Sequence, residues 1–194
     1  KGILDDDDHL NMYLHSFGKM HKAKLDMAFN SMSGADVFGE EVEVYDWGCG
    51  QGTATICLLD FLKENHITSN IKQICLVDPS FAATKRASDV IKCYNPFYSV
   101  STITKNFDSL EKSDFKRTNT RRIHLFSNIL DVEAFDLAKF IHLFQQVFGS
   151  DNYFICVGPY YSNNRRVDEF VAATAPDVMY ATLNKERGTW RGEW

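Results

Sequence analysis

The chain has 194 residues, of which 44% are apolar, and this is enough to build one globular domain with its own core. Its net charge of −5 excludes the global positive field of a nucleic-acid-coating protein, although local basic patches are allowed. Five cysteines without a C-x-x-C pair favour reduced thiols in a cytoplasmic protein over a disulfide framework or a zinc site. No apolar run reaches membrane-spanning length, no signal peptide is visible, and no metal site is expected.

A helical extension is predicted at residues 1–40, ahead of a main domain at residues 41–194. Apolar residues recur at loosely helical spacing between Leu10 and Met32, which predicts one or two helices with Gly18 as a possible break. The segment also carries a basic set of side chains, namely His15, Lys19, His21, Lys22 and Lys24. Such an extension either covers a ligand site as a lid or only packs against the domain. Because the chain starts without methionine and stops in mid-pattern, we expect a segment of a larger protein.

A glycine-rich turn follows the first predicted strand. The apolar residues 42–45 lead into Asp46-Trp47-Gly48-Cys49-Gly50-Gln51-Gly52, and a helical pattern runs from there to about residue 65. Glycines at alternate positions allow a sharp turn and leave no Cβ to keep a ligand away. The following helix presents unpaired N–H groups and the positive end of its dipole to the turn. The order strand, glycine turn, helix therefore predicts a ligand site.

The spacing of these glycines separates two classes of cofactor. A dinucleotide fingerprint, G-x-G-x-x-G, needs a third glycine at position 53, where this chain has Thr53 and places Gly52 one residue earlier. The pattern D-x-G-x-G-x-G instead resembles motif I of the class I S-adenosylmethionine (SAM) dependent methyltransferases. The resemblance implies SAM as cofactor, with Asp46 meeting its methionine ammonium directly or through water. It also implies close approach of the cofactor to the turn, formed by Gly48, Cys49, Gly50 and Gly52.

A second acidic residue stands at the end of the next predicted strand. Residues 71–77 read as a buried strand that ends at Asp78, 26 residues beyond Gly52, and Pro79 agrees with a turn there. A carboxylate has two acceptor oxygens and can therefore accept both hydroxyls of a ribose. The position resembles the acidic residue of the second methyltransferase motif. Ser80 is predicted to cap the helix that follows.

The resemblance implies further contacts after the third predicted strand, residues 98–104. In the family this junction supplies a polar side chain for the adenine amino group and an apolar one for the ring, roles that Asn106 (or Asp108) and Phe107 match. Residues 110–115 are predicted to form a short helix. The dense basic run at residues 116–122, from Lys116 to Arg122, contacts RNA phosphates or serves solubility alone.

The fourth predicted strand, residues 123–127, leads into Asn128-Ile129-Leu130-Asp131. By the resemblance this strand end borders the methyl-donor sulfur, which makes Asn128 a cofactor-side residue and makes Asn128 and Asp131 the catalytic candidates. The D/N-P-P-Y signature of adenine or glutamine methylation is absent, so the target group stays open. Asp131 is equally suited to cap the next helix, predicted at residues 135–148, and we prefer that reading. His124, inside the strand, is expected to be a core residue.

Strands alternate with helices from residue 42 onward, which predicts a mainly parallel sheet with helices on both faces. A fifth strand, residues 153–157, is expected to end near Tyr160 and Tyr161 at the edge of the cleft. A helix is expected at residues 163–175 and a sixth strand at residues 177–183. Residues 188–194 resemble the entry to a seventh strand, which members of the family pair antiparallel with the sixth, so the resemblance implies a Rossmann-like methyltransferase fold of about seven strands. Ligands of such sheets bind beyond the carboxyl ends of the strands.

Two functions fit this reading. The first is an enzyme that transfers a methyl group from SAM to an unidentified acceptor, with RNA as the first choice. The second is a SAM-binding or degenerate methyltransferase-like module that serves regulation or interaction within a larger protein. A nicotinamide-dependent oxidoreductase needs a glycine spacing that this chain lacks.

Overall fold

A computed structural model describes residues 3–32, 37–116, 118–149, 151–159 and 165–174. The elements follow in the order α1 (Asp7–Asn30), β1 (Glu41–Trp47), α2 (Thr53–Glu64), β2 (Asn70–Val77), α3 (Phe81–Tyr94), β3 (Val100–Ile103), β4 (Arg121–Ser127), α4 (Leu137–Val147), β5 (Asn152–Val157) and α5 (Arg166–Thr174). Between β3 and β4 lie two 3-10 turns, Phe107–Ser109 and Lys112–Asp114, where the sequence predicted one short helix.

The five strands form one parallel sheet in the order β3-β2-β1-β4-β5, which confirms the predicted parallel α/β architecture. The chain steps outward from β1 through β2 to β3 and then crosses to β4 on the other side of β1. The order therefore reverses at β1, where ligands of open α/β sheets bind. The predicted sixth and seventh strands and the predicted Tyr160 and Tyr161 lie outside the described residues.

Side chains of the central strand β1 alternate between two hydrophobic cores, one on each face of the sheet. Helices α1, α2 and α3 cover one face, where Phe29, Leu58 and Ile91 are buried. Helices α4 and α5 cover the other with an aromatic core around Trp47, which is 1% exposed. Because residues of α1 belong to the first core, the N-terminal helix packs as part of this domain.

His124 is a core residue, as the sequence predicted. Its side chain is fully buried on β4, and the indole Nε1 of Trp47 donates to its Nδ1 at 3.2 Å. The other ring nitrogen lies 3.1 Å from the Asn152 side-chain oxygen. Burial lowers the pKa of His124 to about 3, so the imidazole stays neutral at physiological pH. It serves the packing of the aromatic core and takes no part at the sheet edge.

The N-terminal segment is one continuous helix, and Gly18 is buried within it without breaking it. Asp6 caps its start by accepting a hydrogen bond from His9 N at 2.8 Å. Ser80 caps α3 as predicted, because its hydroxyl accepts from Ala83 N at 3.0 Å. No helix in the described parts of the chain is long and apolar enough to span a membrane.

The predicted cap of α4 was wrong by five residues. The helix begins at Leu137, and Asp136, not Asp131, accepts a hydrogen bond from Lys139 N at 3.0 Å. The reason is a turn-rich stretch after β4, which brings Leu130 and Phe135 into the core before the helix starts. Asp131 is therefore released from capping and stays near the end of β4.

We expect Asp136→Ala to lower the free energy of unfolding by about 1 kcal/mol, because the variant loses an N-cap. Urea denaturation of the variant and the wild type measures the difference. Glu133→Ala is the matched control, since Glu133 is an exposed acid of the same connection that caps no helix. An equal loss in both variants would contradict this assignment of the cap.

Candidate functional site

The glycine turn lies at the carboxyl edge of the sheet, between the ends of β1, β2 and β4. Gly48, Gly50 and Gly52 have φ angles of 64°, 50° and 81°, in the region that favours glycine. A Cβ on Gly48 would lie 2.7 Å from the Ile129 side chain, and one on Gly52 would lie 2.9 Å from Ala87 Cβ. Apart from its two chain neighbours, none of the described residues has an atom within 4 Å of the position that a Cβ on Gly50 would take. Two glycines thus allow close packing, and Gly50 faces open space where a ligand can approach.

Cys49 contributes its backbone to this turn. Its N–H donates to Val77 O at 3.0 Å, which ties the turn to the end of β2. The thiol is buried, and burial raises its pKa well above the ordinary value, so it remains protonated. All five cysteines are free.

Asp78 joins the two strand ends at which the sequence predicted the cofactor. Its Oδ2 accepts from Gly50 N at 3.0 Å, and its Oδ1 accepts from Ser80 N at 2.9 Å. Burial raises the pKa of Asp78, and the two backbone hydrogen bonds act in the opposite direction. Each carboxylate oxygen has a further lone pair, so both can still accept a hydroxyl.

Asp46 lies beneath the turn and is 1% exposed. Its Oδ2 accepts from Thr55 N at 3.2 Å and from Thr55 Oγ1 at 2.7 Å. Because Gly52, the residue at the N-cap position of α2, has no side chain, Asp46 caps the helix in its place. Its Oδ1 is buried and has no hydrogen-bond partner among the described residues. One oxygen thus serves the helix, and the other retains the capacity to accept a donor placed in the turn.

Burial raises the pKa of Asp46 to about 6, the Thr55 hydrogen bonds oppose this, and the charge of Asp78 adds to it. The folded protein therefore holds the Asp46 proton more tightly than the unfolded chain, so this group makes the protein less stable as the pH rises through the interval from 3.8 to about 6. We expect the ionisation of Asp46 to lower the free energy of unfolding by about 1 kcal/mol between pH 5 and pH 7.

Urea unfolding of the wild type and of Asp46→Asn at both pH values measures this contribution, because all other groups are common to the two proteins. The wild type should lose more stability than the variant on going from pH 5 to pH 7. Parallel pH dependences in the two proteins would show that Asp46 does not titrate in this interval.

The two residues predicted to contact adenine have different surroundings. Asn106 is exposed just after β3. Phe107 is 6% exposed, with its ring centroid 4.7 Å from that of Phe135 and 5.0 Å from that of Phe140. Asp108 accepts from Asp136 N at 2.9 Å and so holds the start of α4. The structure thus places Phe107 in the aromatic core and leaves Asn106 at the edge of the sheet.

The end of β4 brings both catalytic candidates to the same edge. Asn128 has a φ of 55°, an uncommon conformation for a residue other than glycine, and donates its N–H to Val157 O at 2.6 Å. Its side-chain oxygen accepts from Lys24 Nζ at 2.9 Å. Asp131 has a buried Oδ1 with no hydrogen-bond partner among the described residues. Within the described ranges, no three His, Cys, Asp or Glu side chains gather as a metal site.

Helix α1 lies across this edge, a contact that the sequence did not specify. Gln51 Nε2 in the glycine turn donates to Leu10 O at 2.7 Å. Arg86 of α3 donates to Gln51 Oε1 at 2.9 Å and to Asn11 Oδ1 at 2.8 Å, and it also pairs with Asp7. The extension therefore has the position of a lid. Among the α1 residues that contact the site, the sequence analysis had singled out Lys24, as a member of the basic set on α1.

The described residues of the basic run, 116 and 118–122, lie at the opposite edge, because they are at or before the start of β4 and the strand spans roughly 20 Å. Arg121 pairs with Asp151 at 3.3 Å and with Glu40 at 3.5 Å. Arg122 is 3% exposed and lies 3.9 Å from Glu43. A cavity of 520 Å³ at this edge is lined by acids as well as bases, namely Glu40, Glu41, Lys72, Arg121 and Asp151, together with residues 118–120. Both arginines are thus engaged within the fold.

No protein-family model matches the chain, and no curated protein matches its sequence. Among solved structures, it is similar to a candidate SAM-dependent methyltransferase of Methanococcus maripaludis, with a TM-score of 0.56 and 14% identity over 91% of this chain and 75% of that one. It is also similar to an rRNA methylase of Streptococcus thermophilus, with a TM-score of 0.55 and 14% identity over 88% of this chain and 92% of that one. A SAM-dependent methyltransferase of Clostridium acetobutylicum has a TM-score of 0.50 and 15% identity, and the match covers 78% of this chain and 58% of that one. At such identities the likeness establishes the fold.

Proposed function

We propose that this chain, which has the fold of the class I SAM-dependent methyltransferases, binds SAM at the glycine turn and transfers its methyl group to an acceptor beyond β4. The observation that carries the proposal is the arrangement of Asp78 and Gly50. A carboxylate at the end of β2 is held by the N–H of a glycine that has open space above it. That combination suits a ligand with a vicinal diol that must come close to the backbone.

The surrounding residues fit the parts of SAM. Asp78 would accept the ribose hydroxyls, and Asn106 would contact the adenine amino group. The turn of Gly48, Cys49, Gly50 and Gly52 would lie against the methionine part. The unpartnered Oδ1 of Asp46 would accept the ammonium group, directly or through a water molecule. Phe107 is a weaker candidate, because its ring is enclosed in the core.

Bound SAM supplies an electrophilic methyl group, so the work of the protein is to orient the acceptor and to remove a proton where the acceptor carries one. Asn128 and Asp131 are the catalytic candidates because both lie at the end of β4. Asn128 is held in place by Lys24, and Asp131 has an oxygen free to accept a proton. His124 is excluded as a base by its burial and its lowered pKa.

RNA remains our first choice of acceptor class, supported by the likeness to an rRNA methylase. We place the contact with RNA on α1, where Lys19 is exposed on the helix that lies over the site. The run at residues 116–122 is a weaker candidate, since Arg121 and Arg122 pair with acids at the far edge of the sheet. A cytoplasmic location is proposed from the five free cysteines.

Calorimetry with SAM and with its demethylated product, S-adenosylhomocysteine, tests the cofactor. We expect both to bind. Transfer of labelled methyl from SAM to RNA, DNA, protein and small-molecule pools then identifies the acceptor class. A folded protein that binds neither ligand would refute the proposal.

A second candidate function is a SAM-binding module without turnover, within a larger protein. The observation in its favour is that α1 crosses the edge of the sheet and Lys24 occupies the side-chain oxygen of Asn128. In this case residues 1–40 would act as a permanent cover over the domain at residues 41–194. Binding of SAM without methyl transfer to any pool would select this function over the first.

A further inference from the structure

One face of α1 lies beside the end of β4, and it carries aromatic side chains. Residues 13, 17 and 24 fall on one stripe of the helix, since they are spaced by four and seven residues. Lys24, at one end of the stripe, bonds to Asn128 at the end of β4. Helix α1 also contacts strand β5.

Tyr13 fixes the other end of the stripe. Burial raises its pKa first, and the negative charges of Asp131 and Asp78 raise it further, so its hydroxyl lies in the field of both carboxylates. Tyr13 and Lys24 thus bracket the region between the ribose-binding candidate and the end of β4. Phe17 lies between them on the same stripe and therefore faces this region.

Phe17 is 45% exposed, although it lies beside other rings. Its centroid is 5.1 Å from that of Tyr13 and 6.2 Å from that of His21, with which it is stacked at an interplanar angle of 19°. The centroids of Tyr13 and His21 are 5.8 Å apart, so the three rings form a triangular cluster on α1. The exposed Phe17 ring of this cluster offers a flat apolar surface on which another planar ring can stack.

Asp131, near this surface, has a carboxylate oxygen without a hydrogen-bond donor among the described residues. Its Oδ1 is buried without a partner among the described residues and lies 3.9 Å from the position that a Cβ on Gly158 would take. A buried carboxylate oxygen of this kind needs a donor. A second carboxylate, Asp78, lies near the same tyrosine, so an anionic group would be repelled from this place.

We propose that the methyl acceptor is a planar heteroaromatic ring with an N–H group, which stacks on Phe17 beside Tyr13 and donates that N–H to Asp131. The inference rests on the proposed function and specifies its substrate class. In the transfer, the acceptor nitrogen forms a bond to the methyl carbon while the bond from that carbon to sulfur breaks and its electron pair stays on sulfur. The proton of the N–H passes to the Asp131 carboxylate.

Binding to the protein loaded with S-adenosylhomocysteine tests the substrate class without relying on activity. Saturation-transfer NMR would compare adenosine, guanosine and uridine with cyclohexylamine and cyclohexane carboxylate, which have no aromatic ring. We expect at least one nucleoside to bind and the two saturated probes to fail. Oligoribonucleotides assayed beside the free nucleosides distinguish a base within RNA from a free heteroaromatic compound. Binding of the saturated probes alone would overturn the inference.

Variants test the named residues. Phe17→Ala should weaken binding of the nucleoside about 10-fold or more, because a base loses its stacking partner. Asp131→Asn should slow methyl transfer by about 100-fold or more, because the proton acceptor is lost. Met12→Ala is the matched control, since Met12 is a 66% exposed apolar residue of the same helix on another face. All three should bind SAM like the wild type.

The outcomes separate this inference from the proposed function. If SAM binds and Phe17→Ala binds the nucleoside as tightly as the wild type does, the aromatic surface is wrong while the cofactor assignment stands. If SAM binds and no nucleoside or oligoribonucleotide binds, the substrate class is wrong. If SAM itself does not bind, the proposed function fails, and this inference fails with it.

Discussion

Asp78→Asn should weaken the binding of SAM by about 100-fold or more, since hydrogen bonds to a charged group contribute about 1.5–3 kcal/mol each and two are lost. In the wild type the carboxylate accepts from Gly50 N and Ser80 N and keeps a lone pair on each oxygen. An amide has one acceptor atom and no charge, so it cannot satisfy both N–H groups and a ribose diol. Calorimetry measures the loss, and circular dichroism verifies that the variant is folded.

Asp89→Asn is the matched control. Asp89 is an exposed aspartate of the adjacent helix α3, where it pairs with Lys85 at 2.7 Å. Surface pairs of this kind contribute little, and this one is far from the ends of the strands. Asp89→Asn should therefore bind SAM like the wild type. Unchanged affinity in the Asp78→Asn variant would place the ribose elsewhere.

Gly52→Ala should mainly reduce the stability of the protein, whereas Gly50→Ala should mainly reduce its affinity for SAM. At Gly52 we expect the free energy of unfolding to fall by about 3 kcal/mol, because φ is +81° and the new methyl would meet Ala87 at 2.9 Å and its Cα at 3.4 Å. At Gly50 the stability should fall by only about 1 kcal/mol, from the backbone strain alone. Because the methyl would occupy the open space above the turn, Gly50→Ala should instead reduce the affinity for SAM about 10-fold or more.

Urea denaturation and calorimetry on both variants measure the two effects. Gly149→Ala is the control, because its added Cβ would also meet no atom within 4 Å among the described residues outside its chain neighbours. Gly149 lies in the loop that precedes β5, at the other edge of the sheet. It should change neither stability nor affinity by much. If Gly50→Ala bound SAM like the wild type, the ligand would not pass over this turn.

Local signals predicted much of the fold and part of the site. The alternation of strands and helices indicated a parallel sheet, and the glycine spacing with Asp46 and Asp78 indicated which strand ends matter. Those signals are readable because a strand, a turn and the next helix are contiguous in the chain. The Ser80 cap belongs to the same class, since it acts on a residue three positions away.

The cap of α4 was predicted wrongly, and the surroundings of two further predicted contacts could not be predicted, because the deciding neighbours are distant in sequence. Asp131 and Asp136 are equally good caps by type, and the core packing of the residues between them selects Asp136. The sequence showed that Phe107 has a suitable type to contact an adenine ring, but it could not show that Phe135 and Phe140 pack against its ring. The basic run ahead of β4 stays a candidate surface for RNA, but the sequence could not show that Glu40, Glu43 and Asp151 lie beside Arg121 and Arg122.

By itself the sequence determined that this chain folds around a strand, a glycine turn and a helix, and that two carboxylates end adjacent strands. Periodicity and turn chemistry act over a few residues, so they are written locally. Only the tertiary structure decided that α1 lies over the turn, that Lys24 holds Asn128 and that Asp131 keeps an unpartnered oxygen. These relations join residues that can be more than a hundred positions apart, and they exist only after the hydrophobic cores have brought the helices and the sheet together.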